Sequence, residues 1–109
     1  MEKIIDAKVL RVVDGDTVEV QIDKMTVRLD FIDAPETRGI EKQDGLITKE
    51  WLKKEIEGKT IQLDIKSQDM YHRFLSVVYR NGINLNGEMV KLNLAEIYSP
   101  SNHNNGEKN

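Results

Sequence analysis

Apolar and polar residues alternate along most of this chain, and the period lengthens only in the middle and near the end. From Ile4 to Val13 apolar residues are interspersed with charges. Asp14-Gly15-Asp16 then reads as a turn, after which Val18, Val20 and Ile22 alternate with Glu19 and Gln21, a hairpin pattern. Asp23-Lys24 offers a second turn into a strand with Val27, Leu29 and Phe31 on one face and Arg28 and Asp30 on the other, stopping at Pro35. The polar stretch Thr37 to Gly45 reads as a mobile loop. Leu46, Ile47, Trp51, Leu52 and Ile56 recur at helical spacing with Gly58 at the stop position, which predicts a helix over Leu46 to Glu57. Ile61, Leu63 and Ile65 mark a fourth strand, and Tyr71 to Arg80 a fifth, closed by the hairpin dipeptide Asn81-Gly82. Met89, Val90, Leu92, Leu94 and Ala95 predict a second short helix.

Three strands, a helix, two strands and a helix are solved most economically by a five-stranded Greek-key β-barrel of the OB type, mainly β with helices. Residues 1–98 are expected to form this one domain. The polar tail 99–109 is expected to be disordered, because it has too little apolar surface to offset the cost of ordering. There are no internal repeats. At 109 residues and 12.5 kDa the chain can bury over ~60% of its unfolded surface and fold without staples.

Charge and composition remove several function classes. The net charge of −3, from 16 Lys+Arg against 19 Asp+Glu, disfavours holding nucleic acid by bulk attraction alone. Lys49, Lys53, Lys54 and Lys59 read first as the wet side of a helix. The absence of cysteine excludes a disulfide framework and the usual zinc sites, and fits secreted and cytoplasmic proteins equally. No apolar run approaches membrane-spanning length and the N-terminus has no export signal, so a soluble chain with no membrane partner is expected. Localisation stays open between cytoplasm and, for a chain trimmed of its leader, secretion.

The chemistry gathers where the third strand ends. Pro35 lacks an amide donor and biases Ala34 to an extended conformation, so the chain turns a fixed corner that displays Asp33 and Glu36 beyond Arg28. One arginine and two carboxylates so placed suit a hard cation, a phosphate and a water. Each residue also has a plainer role. Asp14, and Asp16 taken alone, suit local turn bonding. Arg28 suits a cross-strand pair with Glu19 or Asp30, Trp51 the inner face of the helix, and Tyr71 the barrel. An EF-hand reading of Asp14-Gly15-Asp16 fails for want of the downstream glycine and glutamate.

Three segments, Asp14-Gly15-Asp16-Thr17, Arg28 to Glu36 (Arg-Leu-Asp-Phe-Ile-Asp-Ala-Pro-Glu) and Asp69-Met70-Tyr71-His72-Arg73, occur in this order around this strand pattern. Together they resemble the staphylococcal nuclease (thermonuclease) family, from about Val9 to Tyr98. The resemblance implies a calcium site with Asp16 and Asp33 as carboxylate ligands and the main-chain carbonyl of Ala34 as a third. It further implies Glu36 as the group that orients or deprotonates the attacking water, Arg28 and Arg73 as the grip on the scissile phosphate, and Tyr71 and Tyr98 as nucleotide contacts. The implied activity is calcium-dependent, sugar-nonspecific hydrolysis of single-stranded or frayed DNA and RNA, leaving 3′-phosphate ends. No obligate protein partner is inferred.

Several positions depart from the family pattern. Ala34 replaces a threonine, which leaves a main-chain ligand intact but removes a hydroxyl, and His72 stands where glycine is usual between the tyrosine and arginine. The Thr37–Gly45 loop is shorter than its family counterpart. The long family helix beyond the tyrosine-rich segment is expected to be absent, with the barrel stabilised otherwise, by self-association for instance, or weakened. His103 is expected to be inert. The rival class is a noncatalytic OB-type module binding nucleic acid or protein, but such a module relies on stacking aromatics and a basic groove, and this chain is 6% aromatic and net acidic. A third reading is an intact site on a fold too unstable, or too altered at His72, to turn over.

Overall fold

A computed structural model describes residues 3–21 and 25–98. The expected turn at Asp23-Lys24 and the polar tail from Ser99 lie outside the described residues. The first strand, β1 (Lys3–Asp14), is long enough to serve two neighbours. Its first half pairs antiparallel with β5 (Thr60–Gln68) and its second half with β2 (Thr17–Val20). A register shift between Val9 and Arg11 lets Val9 and Val12 both turn inward, while Arg11 stays outside and pairs with Glu19 at 3.0 Å.

β3 (Thr26–Leu29) pairs with β2, and β6 (Phe74–Arg80) pairs with β5. A parallel contact between β3 and β6, with Arg28 opposite Leu75, closes the sheet into a five-stranded barrel. Inward-facing Val9, Val18, Val20, Val27, Leu29, Ile61, Leu63 and Val78 are fully buried and form its core. Asn81 and Gly82, both at positive φ, connect β6 to β7 (Ile83–Asn84) in the tight hairpin that their dipeptide predicts.

Two helices cover the core. α1 (Lys42–Ile56) buries Thr48, Leu52 and Ile56, with Trp51 half-buried against the same cluster. α2 (Leu85–Lys91) buries Leu85, Asn86 and Met89. It begins four residues before Met89, the first residue of the expected helix, because the Asn84 side chain accepts from Gly87 N–H and caps a helix right after the hairpin. Leu92 to Ala95 then continue past the helix end.

Two elements differ from the sequence pattern in ways that shape the site. The Thr37–Gly45 stretch is not a loop throughout: a short 3-10 helix, Gly39–Glu41, leads into α1, which starts at Lys42. Lys42, Gln43 and Asp44 of its first turn are exposed and Gly45 has no side chain, so the turn carries no apolar period to read. The third strand also stops at Leu29 rather than running to the proline. Asp30 and Phe31 form a turn, with Phe31 at φ 68 and 48% exposed while Asp30 is buried. The chain resumes as β4 (Ile32–Asp33), paired outside the barrel with β8 (Glu96–Ile97). Buried Asn86 braces this break: its Nδ2 donates to Asp30 O at 2.8 Å and Ser76 O at 3.1 Å, and its Oδ1 accepts from Val78 N–H at 3.0 Å.

Candidate active site

The β1–β2 turn and the corner after β4 meet through carboxylates. Asp16 Oδ2 accepts from Ala34 N–H at 2.9 Å, across 18 residues, and Oδ1 accepts from the Thr17 hydroxyl at 3.1 Å. Asp14, expected to bond within its own turn, instead accepts from the Thr37 hydroxyl at 2.8 Å. Gly15 lies between them because a Cβ there would sit 2.5 Å from Thr48 Cγ2 and 2.9 Å from the Ala34 side chain. The turn is thus pressed on α1 and on the corner together.

Arg28 lies where these segments converge, its side chain 13% exposed. Its Nη1 donates to Leu29 O and, at 2.8 Å, to Ile32 O, the two carbonyls flanking the Asp30–Phe31 turn. Its Nη2 lies 3.4 Å from Asp33 Oδ1 and 3.7 Å from Asp16 Oδ2. Glu19, the sequence alternative as its partner, goes to Arg11. The broken strand therefore orients the guanidinium and leaves one nitrogen between two carboxylates.

The Asp33 carboxyl is pushed above its ordinary pKa by partial burial and then by the Asp16 charge, with Arg28 opposing and Glu36 and Glu41 adding to the rise. A cation relieves repulsion of this kind. Among the described residues no three His, Cys, Asp or Glu side chains gather as a metal-binding group. Two carboxylates converging on one point, supplemented by main-chain oxygen and water, nonetheless fit a hard divalent ion, which takes oxygen ligands and retains water.

Arg73 arises next door, immediately before β6, where Leu75 is the register partner of Arg28. It belongs to a self-bonded turn. Asp69 Oδ1 accepts from Tyr71 N–H and Arg73 N–H, both at 2.9 Å, and Oδ2 accepts from Arg73 Nε at 2.8 Å. Burial opposes the Asp69 charge, but these bonds outweigh it and hold the carboxyl below its ordinary pKa. The Arg73 guanidinium carbon lies 5.4 Å from the centre of the exposed Tyr71 ring, a cation–π contact. His72 adopts φ 65, a conformation that glycine takes without cost, and its side chain is exposed rather than wedged in the turn.

Glu36 is exposed at the far side of the corner. Tyr98 follows β8, and its N–H donates to Phe31 O at 2.7 Å, which sets it beside the strand carrying Asp33. A cleft of about 530 Å³ opens between the corner, α1 and the segment before β8. Asp33, Glu41, Asp44 and Glu96 among its lining make it a poor path for a phosphate backbone. The structure thus brings Asp16, Arg28, Asp33 and the Ala34 backbone into one cluster, and sets Arg73 with Tyr71 in an adjacent unit. Three partners escape sequence reasoning: Asp69 behind Arg73, Asn86 beneath the strand break, and Glu41, whose Oε1 accepts from Glu36 N–H at 3.0 Å. Of these, the Asp-x-x-x-Arg spacing within Asp69–Arg73 was a readable signal. Asn86 reaches Asp30 across 56 residues, and Glu41, only five residues from Glu36, lies in a polar stretch with no apolar period to read.

An OB-type barrel with arginine and carboxylates gathered at a broken strand end is the class defined here. The family described as staphylococcal nuclease homologue matches residues 26–109, well over half of the chain. The chain belongs to that family. A protein of Escherichia coli named "Uncharacterized endonuclease" is 38% identical over 102 residues, covering 90% of this chain and 64% of the relative. A Haemophilus influenzae protein of the same printed name is 35% identical over 99 residues, covering 88% of this chain and 54% of its own length. An uncharacterized Bacillus anthracis protein is 35% identical over 108 residues, covering 89% and 50%. The chain thus spans about half to two thirds of these relatives.

Proposed function

We propose that this chain is a nuclease domain that hydrolyses phosphodiester bonds of DNA and RNA without selecting the sugar, favouring single or frayed strands. The observation that carries the reading is the Arg28 guanidinium, aimed by two backbone carbonyls and flanked by Asp16 and Asp33. Family membership and the endonuclease names of two relatives support it.

Asp16, Asp33 and the main-chain carbonyl of Ala34 are the proposed ligands of Ca²⁺. When bound, the ion neutralises phosphate charge and lowers the barrier to attack by water, a contribution of added weight in a chain of net charge −3. Arg28 and Arg73 bond to the non-bridging oxygens, where negative charge grows during attack, and so stabilise the transition state more than the ground state. Glu36 holds the water in line or accepts its proton. The water oxygen bonds to phosphorus as the bond to the 5′ oxygen breaks, leaving a 3′-phosphate and a 5′-hydroxyl. Tyr71 and Tyr98 contact the flanking nucleotides.

The test is cleavage of denatured DNA with calcium, with magnesium and with chelator, run beside Glu36→Gln to exclude a contaminating nuclease. Calcium-dependent cleavage that is lost in the variant is the expected result, and end-group analysis of the products checks the 3′-phosphate. A folded, calcium-binding protein that cleaves nothing would replace this reading with the binding module.

A further inference from the structure

The Glu36 carboxylate accepts no hydrogen bond among the described residues, so its aim depends on how its backbone is held. Two residues of the α1 entrance hold it. Glu41 occupies the N-cap position of α1, where an acidic side chain ordinarily accepts from the free amides of the first turn. It makes no such cap, and its Oε1 takes the Glu36 N–H at 3.0 Å instead. Inside the first turns of the helix stands Gly45, buried although its neighbours on the chain are exposed. A methyl group on its Cα would overlap the Glu36 carbonyl oxygen and come 2.9 Å from Pro35 O. Glycine weakens a helix interior relative to alanine, and here its missing side chain is what allows the two backbones to approach.

The two contacts act on different peptide groups. The Glu36 N–H belongs to the peptide before its Cα, and the Glu36 carbonyl to the peptide after it. Fixing both planes fixes the direction of the Cα–Cβ bond, and Thr37, held by Asp14 at 2.8 Å, secures the next residue. We propose that Glu41 and Gly45 are positioning residues for Glu36, converting the start of α1 into the mount that aims its carboxylate. This rests on the reading of Glu36 as the group that handles the attacking water.

With calcium and denatured DNA, Glu41→Ala is expected to lower kcat by about tenfold or more, as misplacement of a reacting group does, with KM and the unfolding midpoint close to those of the parent. Glu41→Gln keeps an Oε1 acceptor without the charge and is expected to recover most of kcat. Hydrogen exchange at the Glu36 amide, slow in the parent and in Glu41→Gln, should be fast in Glu41→Ala. Gly45→Ala should depress kcat without raising KM. If that variant does not fold, the Glu41 pair still decides. Parent-like kcat and exchange in Glu41→Ala, or a glutamine variant as impaired as the alanine one, would overturn the proposal. Full cleavage by Glu36→Gln would remove the role of Glu36 and this inference together. Loss in Glu36→Gln without loss in Glu41→Ala would remove this inference alone.

Discussion

The corner from Ile32 to Thr37 and the turn from Asp69 to Arg73 carry the charged groups of the site, and they are built in opposite ways. The corner is fastened to other elements: Asp16 takes the Ala34 amide and Asp14 the Thr37 hydroxyl from the β1–β2 turn, Glu41 at the α1 entrance the Glu36 amide, and β8 pairs with Ile32 and Asp33. The arginine turn closes on itself through Asp69, which accepts from Tyr71 and Arg73 and donates its own N–H to the Arg73 carbonyl. A displaced corner disturbs bonds to three other elements. A displaced turn moves as one piece, and its bonds within the turn travel with it.

This contrast is tested most severely at the two arginines. Arg28→Ala and Arg73→Ala should each lower turnover by about 10²–10³-fold, as loss of one transition-state donor does. Their folding costs should differ. Removing Arg28 takes a charged donor from the half-sequestered carbonyls of Leu29 and Ile32, at about 1–3 kcal/mol. Removing Arg73 breaks a local pair at the barrel rim, at about 1 kcal/mol or less. Urea unfolding of both variants measures this, and equal losses would erase the distinction.

Asn86 offers a cut at the corner's foundation without touching a charged group. Asn86→Ala leaves the Val78 amide and the Asp30 carbonyl without their buried partner, and should cost about 2–3 kcal/mol in thermal or urea unfolding. Turnover should fall with it, since the Asp30–Phe31 break that aims Arg28 loses its brace. A stable Asn86→Ala protein with parent turnover would show that the break holds itself.

The smallest effect is a pH dependence confined to the turn. Asp69 is held below its ordinary pKa, so the folded state binds fewer protons there than the unfolded chain. Its stabilisation is present above the ordinary carboxylate value of about 3.9 and is lost as pH falls through the lowered folded value. Against Asp69→Asn the parent should gain about 1 kcal/mol or less at neutral pH, and the gap should close in acid. A gap that persists unchanged in acid would mean that the turn is held by shape rather than by this charge.

Much of the barrel is legible in the sequence, because its strands bury one face and expose the other, and that alternation is local information. Val18, Val20, Val27, Leu29, Ile61 and Leu63 could be placed inside from spacing alone. The site was legible in a different way: Asp16, Arg28, Asp33, Glu36 and Arg73 stood out as a set through family resemblance, whereas each alone had a plainer role. The first turn of α1 was not legible, since Lys42, Gln43 and Asp44 are exposed and the turn is held by a backbone approach at buried Gly45 rather than by an apolar stripe.

The sequence by itself determined the succession of the five barrel strands along the chain, the helix between the third and fourth of them, and the roster of charged residues near the strand end. Only the tertiary structure decided that Phe31 leaves the strand at positive φ, that Asp14 reaches Thr37, and that Glu41 serves Glu36 rather than its own helix. For the contacts between distant segments the physical reason is range. Periodicity reports which way neighbouring residues face, while a hydrogen bond across 23 or 56 residues depends on where the closed barrel brings two backbones together.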